Sequence, residues 1–305
     1  MKPIVFIDRL SRVKMVEKVY GDKVLSFLYG ESFFSKIVGV PLMHLLSRVS
    51  FFSACVGFWQ NRHFTKKRIK PFIESYAVDE REFEKPVDQF ESFNDFFIRK
   101  LKQESRPIDS REDRAVIPAD GRYSIYPNMA LAKFFQVKGN RFTLEALLGD
   151  EKLAKSYQYG SMVLARLCPS DYHRFHFPVD CIPASTEWIN GWLYSVNPIA
   201  IKKNFGILSE NKRSLCVLDS QRFGKVLYLE IGATSVGSIH ETYTPSQPYK
   251  KGAEKGFFSF GGSTLILLFE PNKIAFDKDL IEASEEGLEM KCLMGQSMGV
   301  AIESL

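Results

Sequence analysis

Apolar residues recur at two different spacings along this chain. From about residue 11 to 75 they fall three or four apart. Tyr20, Val24, Phe27 and Leu28 do so in one stretch, and Leu42, Leu45, Leu46, Val49 and Phe52 in the next. That period predicts helices with one apolar face. Residues 78 to 110 are charged and read as a connector around one short helix. Ser92 is placed to cap that helix ahead of Phe93, and Pro107 marks the way out of the segment. From about 115 the texture changes to short apolar or alternating runs broken by Gly, Pro, Asn and Asp. Met162–Leu167, Lys225–Ile231 and Thr264–Phe269 read as strands, with Leu144–Leu148 and Pro198–Phe205 as helical candidates. The expectation is an α+β chain. A mainly β core over residues 106–305 follows a helical region and connector over residues 1–105.

Composition refines this picture in a few places. Hydrophobic residues are 45% and charged residues 25% of the 305, which excludes wholesale disorder. The net charge of +5 gives no reason to expect a nucleic-acid partner, and it suits an anionic lipid surface. Phe is abundant, and Lys66-Lys67-Arg68-Ile69-Lys70 places a basic cluster beside an aromatic-rich apolar face. Together they predict that the N-terminal helical region lies in a membrane interface. The alternative is a plain helical subdomain with a solvated basic turn. Ile37–Ser47 and Val49–Asn61, split by Arg48, are each too short to cross a bilayer, which takes about 20 apolar residues. The first residues lack the apolar core and cleavage site of a secretory signal. Cys55, Cys168, Cys181, Cys216 and Cys292 are scattered and odd in number. They show no zinc spacing or disulfide framework, so no metal is expected and the thiols read as reduced and cytoplasmic.

The candidate chemistry sits near the C-terminus, in Phe260-Gly261-Gly262-Ser263-Thr264. Alone, this is a turn entering a strand. Two glycines before a serine also allow the hydroxyl to attack the Gly262 carbonyl, which turns the peptide bond into an ester. Elimination would release Gly262 as a carboxylate and leave Ser263 as dehydroalanine, which hydrolyses to a pyruvoyl group. A serine hydroxyl needs a base for such an attack. A histidine steadied by an aspartate is the usual supplier.

Several further segments precede that serine in a fixed order. They are Phe93-Asn94-Asp95-Phe96-Phe97-Ile98-Arg99-Lys100-Leu101, Arg106-Pro107-Ile108-Asp109, Pro118-Ala119-Asp120-Gly121-Arg122, Asp171-Tyr172-His173-Arg174-Phe175-His176-Phe177-Pro178 and Val236-Gly237-Ser238-Ile239. From about residue 60 to its C-terminus the chain resembles the phosphatidylserine decarboxylases. The resemblance implies a β-rich core of two intertwined halves with helices on the N-terminal side. It implies cleavage between Gly262 and Ser263 into a β chain, 1–262, and an α chain, 263–305. It makes Asp120, His176 and Ser263 the self-cleavage relay. It gives His173 to the decarboxylation step, and a covalent pyruvoyl group at Ser263 the role of Schiff-base site for phosphatidylserine. It places Val236–Ile239 near the active site. It further implies a homodimer bound peripherally to the cytoplasmic side of the cell membrane. Gly121 suits a tight turn presenting Asp120.

His173 and His176, three apart in an extended segment, should face opposite sides and serve separate roles rather than form a metal pair. His240 has no counterpart and reads as structural. The chain departs from the commonest family motif by having Gly261 where leucine precedes the Gly-Ser-Thr. Three rivals remain at this stage. One is a pyruvoyl-dependent decarboxylase of a soluble amino acid, and a second is a non-catalytic membrane-binding module. The third is a serine hydrolase, which would want a second glycine after Ser263.

Overall fold

The computed structural model describes residues 3–18, 58–131, 142–196, 200–201, 204–232, 239–259 and 263–303. In chain order its strands are β1 (Val5–Asp8), β2 (Lys14–Val16), β3 (Arg114–Val116), β4 (Gly121–Tyr126), β5 (Ser161–Leu167) and β6 (Arg174–His176). There follow β7 (Ile182–Pro183), β8 (Glu187–Ile189), β9 (Arg213–Ser220), β10 (Gly224–Ile231), β11 (Ile239–Glu241) and β12 (Glu254–Phe258). The last four are β13 (Ser263–Phe269), β14 (Ile274–Phe276), β15 (Glu289–Cys292) and β16 (Ser297–Ala301). A ten-stranded sheet runs β2-β1-β15-β4-β5-β13-β10-β9-β7, with β8 also paired to β9. Two three-stranded sheets, β11-β12-β6 and β14-β16-β3, complete the β structure among the described residues.

The middle strands of the large sheet are buried on both faces, which is why they read as unbroken apolar runs. On β13, Leu265, Leu267 and Phe269 join one core while Ile266 and Leu268 join the other. On β10, Val226 and Tyr228 face the first core and Leu227, Leu229 and Ile231 the second. The first core is closed by the two small sheets, through Phe175 and Phe258 from one and Ala115, Ile274, Phe276 and Met298 from the other. The second is closed by the helices Leu144–Leu148, Glu151–Tyr157 and Ile207–Glu210. By the alternation of β13, Ser263 shares the face of Leu265, towards the first core.

A separate aromatic core joins the helices Ile69–Tyr76 and Phe93–Phe97. Phe72 meets Phe93 edge-on at 5.3 Å and Phe96 meets Phe90 at 5.6 Å. Such pairs add about 0.5–1.5 kcal/mol each beyond burial. Ser92 caps the second helix, its hydroxyl accepting from Asp95 N.

The mixed architecture with a mostly β core matches the expected class. The expected helix from residue 11 onward is corrected in its described beginning, where Lys14–Val16 is a strand. Three consecutive exposed residues there pair with β1, and β1 runs parallel to β15, so strand pairing with a distant partner overrides the local pattern. Residues 19–57, which carry most of the expected interfacial helix, lie outside the described residues, as do parts of Pro198–Phe205. No helix among the described residues is long and apolar enough to cross a membrane.

Candidate active site

Ser263 is the first residue of β13 and pairs with Leu167, the last residue of β5. It is fully buried, and its hydroxyl finds no hydrogen-bond partner. Gly261 and Gly262 lie outside the described residues, as do Val236, Gly237 and Ser238.

After Leu167 the chain turns tightly. Asp171 N donates to Cys168 O at 2.8 Å, and Cys168 N donates to the Asp171 carboxylate at 2.7 Å. Two residues later His173 receives Phe258 N on its carbonyl at 3.0 Å. The step from Leu167 to His173 therefore joins the large sheet to the β11-β12-β6 sheet. At one end Leu167 pairs with Ser263, and at the other the His173 carbonyl accepts from Phe258. His173 is fully buried against Phe97, with ring centres 3.9 Å apart. Its Nδ1 lies 3.0 Å from Asp171 O. A carbonyl can only accept, so Nδ1 carries the proton and Nε2 is the basic nitrogen. That Nε2 is buried and unpartnered. Burial drives the imidazole down to about 3, against the pull of Asp171, so the resting ring is neutral. Arg99, itself lowered to about 10 by burial, donates to Ser170 O at 2.9 Å and Asp171 O at 3.1 Å behind it.

His176 ends β6. Its Nδ1 lies 3.0 Å from Gly252 O, so this nitrogen too carries the proton. Its Nε2 is 3.3 Å from the Tyr172 hydroxyl, and the two rings stack at 5.8 Å. Burial lowers His176, partly offset by Gly252 O and the nearby charges of Glu254 and Asp120. Burial raises the Tyr172 phenol well beyond its ordinary value, so its hydroxyl is a donor.

Asp120 is buried and fully engaged elsewhere. Arg106 Nε reaches its two oxygens at 2.9 and 3.1 Å, Arg106 Nη2 donates at 2.6 Å, and Met294 N donates at 2.9 Å. Arg106 also spans to both oxygens of Glu82, at 2.9 and 3.0 Å. Gly121 is not a turn residue as expected. It opens β4, and a Cβ there would sit 3.0 Å from Arg166 O.

Asp120, His173, His176 and Ser263 are all buried, but no hydrogen bond joins Asp120, His176 and Ser263. A backbone carbonyl, Gly252 O, holds the His176 tautomer, the task expected of Asp120. Tyr172, between Asp171 and His173, carries no sequence signal of its own, although its hydroxyl touches His176. Arg106 stands in a motif that assigns it no role. Gly252 left no signal, because a carbonyl belongs to every residue. His240 sits on β11, bonded to Ser259 at 3.0 Å and stacked on Phe257 at 4.7 Å. No cluster of three or more metal-ligating side chains occurs among the described residues.

Comparison with known proteins adds the context. A family model described as phosphatidylserine decarboxylase matches residues 93–300. A phosphatidylserine decarboxylase proenzyme of Chlamydia pneumoniae is 50% identical over 294 residues, 96% of each chain. One from Chlamydia caviae is 50% identical over 299 residues, 98% of each chain. One from Chlamydia trachomatis serovar D is 46% identical over 287 residues, 94% of this chain and 95% of the relative.

Proposed function

Because the chain belongs to the phosphatidylserine decarboxylase family, we propose that it removes the serine carboxylate of phosphatidylserine as carbon dioxide and leaves phosphatidylethanolamine, using a pyruvoyl group made from its own Ser263. Such a group supplies a ketone conjugated to a carbonyl, which takes up the electrons released as carbon dioxide departs. The observation that carries the reading is Ser263 itself, a fully buried hydroxyl without a partner at the head of a central strand. A buried polar group left unpaired costs about 1–3 kcal/mol, which packing alone gives no reason to retain.

In self-cleavage, His176 Nε2 takes the proton of the Ser263 hydroxyl as that oxygen attacks the Gly262 carbonyl. The Tyr172 hydroxyl now on Nε2 must swing aside or pass the proton along. Asp120 favours the protonated ring by its charge, from a distance. In turnover, two protons must move. Phosphatidylserine arrives as an ammonium, and its amine must lose a proton before it can act as a nucleophile. His173 Nε2, buried and unpartnered, is placed to pass a proton to the α-carbon after carbon dioxide leaves, and with its basicity lowered by burial it gives that proton up readily rather than holding it.

The enzyme works as a peripheral protein on the cytoplasmic side of the cell membrane, as a homodimer of cleaved protomers. Docking on anionic lipid is supported by exposed Phe58, Trp59 and Phe64 beside Arg62, Lys67 and Lys70.

Intact mass under denaturing conditions tests the central step. The wild-type chain should give two pieces broken between residues 262 and 263, and Ser263→Ala one inactive piece. A single-chain wild type that decarboxylates phosphatidylserine vesicles would end the pyruvoyl reading. Cleavage with turnover of free serine, but none of vesicles, would favour the soluble-substrate rival.

A further inference from the structure

On β4 and β5, Arg122 and Arg166 are direct cross-strand partners, both nearly fully buried. Like charges directly opposite one another in a sheet repel, and burial makes the repulsion worse. Glu17, from the N-terminal segment, lies between them with its side chain 5% exposed. Its carboxylate takes Arg166 on both oxygens, at 3.2 and 2.7 Å, and Arg122 Nε lies 3.5 Å from one of them. Arg166 also grips Glu289 at 3.0 and 2.6 Å. Arg122 turns its other end, Nη1, onto the Asp171 carboxylate. That carboxylate holds the turn at Cys168 N, and the Asp171 carbonyl holds His173 Nδ1.

We propose that Glu17 is a positioning residue for His173, acting through Arg122 and the Asp171 turn. The inference rests on the reading of His173 as the proton carrier in turnover. Glu17 neutralises the facing arginines and so keeps Arg122 extended towards Asp171. Without that charge the arginines separate, Arg122 leaves the turn, and the carbonyl that fixes the His173 tautomer moves. The brace comes from the sheet face opposite Ser263, since Arg122 and Arg166 alternate with the core residues Tyr123 and Ala165. It should therefore bear on decarboxylation rather than on cleavage.

The test uses the full chain and vesicles of phosphatidylserine in phosphatidylcholine. Glu17→Gln should cleave to completion by intact mass and keep its KM, with kcat down about tenfold. Glu17→Asp should recover most of that loss. Arg122→Lys keeps the charge but loses the planar fork that spans two carboxylates, and should lose kcat to a similar degree. Glu286→Gln removes an exposed partner of Lys14 on the same hairpin and should leave turnover unchanged. Wild-type kcat in Glu17→Gln would overturn the proposal. So would a rise in KM with kcat intact, or a defect confined to cleavage. If Glu17→Gln does not fold, Arg122→Lys decides. His173→Ala separates the premise from the inference: full turnover there removes the premise, whereas an inactive His173→Ala beside a fully active Glu17→Gln removes only the inference.

Discussion

Lys255→Met is expected to destabilise the protein by several kcal/mol, because of where this lysine sits. Its side chain and that of Glu230 are both fully buried, with Nζ 2.6 Å from Glu230 Oε1 and 2.9 Å from Glu241 Oε1. The ammonium is surrounded by the rings of Tyr243, Tyr228 and Phe175, at 4.8, 5.1 and 5.8 Å from their centres. A bulge in β12 between Glu254 and Gly256 turns Lys255 inward. At 2.6 Å and an effective dielectric near 20, the attraction to Glu230 alone is about 6 kcal/mol gross. Much of that offsets desolvation, but truncating one partner leaves the other charge stranded. Breaking a buried pair in this way costs about 3–5 kcal/mol. For a chain of this size the melting temperature should drop by about 10 °C.

Replacing both fully buried partners, Lys255→Met with Glu230→Gln, should recover most of the loss, because the charge left behind, on Glu241, belongs to a partly exposed side chain. The deficit of the single variant should also depend on pH. Burial pushes the Glu230 carboxyl up, and the ammonium that opposes this would be gone. A carboxyl whose folded pKa lies above its unfolded value binds its proton more readily in the folded state, so stability rises as pH falls through the folded pKa. Thermal melts followed by circular dichroism should therefore show the gap to wild type narrowing from pH 8 to pH 5.5. A single variant that melts with the wild type, or a double variant no better than the single, would refute the reasoning.

Two further outcomes are open to direct measurement. Tyr172→Phe removes a donor from the neutral form of His176 and so raises its proton affinity. Cleavage needs the neutral ring, so the acid limb of the cleavage rate, read by intact mass over time, should move to higher pH; an unmoved limb would argue against contact between these groups during cleavage. Gly256→Ala would put a Cβ 2.2 Å from His240 O and 2.7 Å from the Phe175 ring, so β11 or β6 must shift. Its melting temperature should fall by several degrees, and an unchanged melt would show that β12 carries no such crowding.

What could be read from sequence, and what could not, divides by the distance over which each interaction acts. β5, β10 and β13, in the middle of the large sheet, are legible because their apolar side chains repeat within a few residues. Leu144–Leu148 and the Ser92 cap were visible for the same reason. Lys14–Val16 reads as helix from sequence because the strand it pairs with, β1, is itself held in the sheet by β15 at the far end of the chain. Among site residues, short motifs identified side chains but not whom they touch. Asp120 is bound to Arg106 and Met294, not His176, and nothing in Ala-Asp-Gly anticipates an arginine 14 positions upstream. The buried charges were least legible of all. Glu17 meets Arg166 across 149 positions and Lys255 meets Glu230 across 25, in stretches whose local texture is ordinary. These two ion networks nonetheless bracket the chemistry. One ties β10 of the large sheet to β11 and β12 of the small one. The other pins the turn between Leu167 and His173. Ser263 and His173 lie at the junction between those sheets, which is braced in part by charges outside the motifs: Glu17, Arg166 and Glu289 on one side, and Glu230, Glu241 and Lys255 on the other. Substitutions at those six positions should therefore alter rates while every residue of the recognised motifs stays in place.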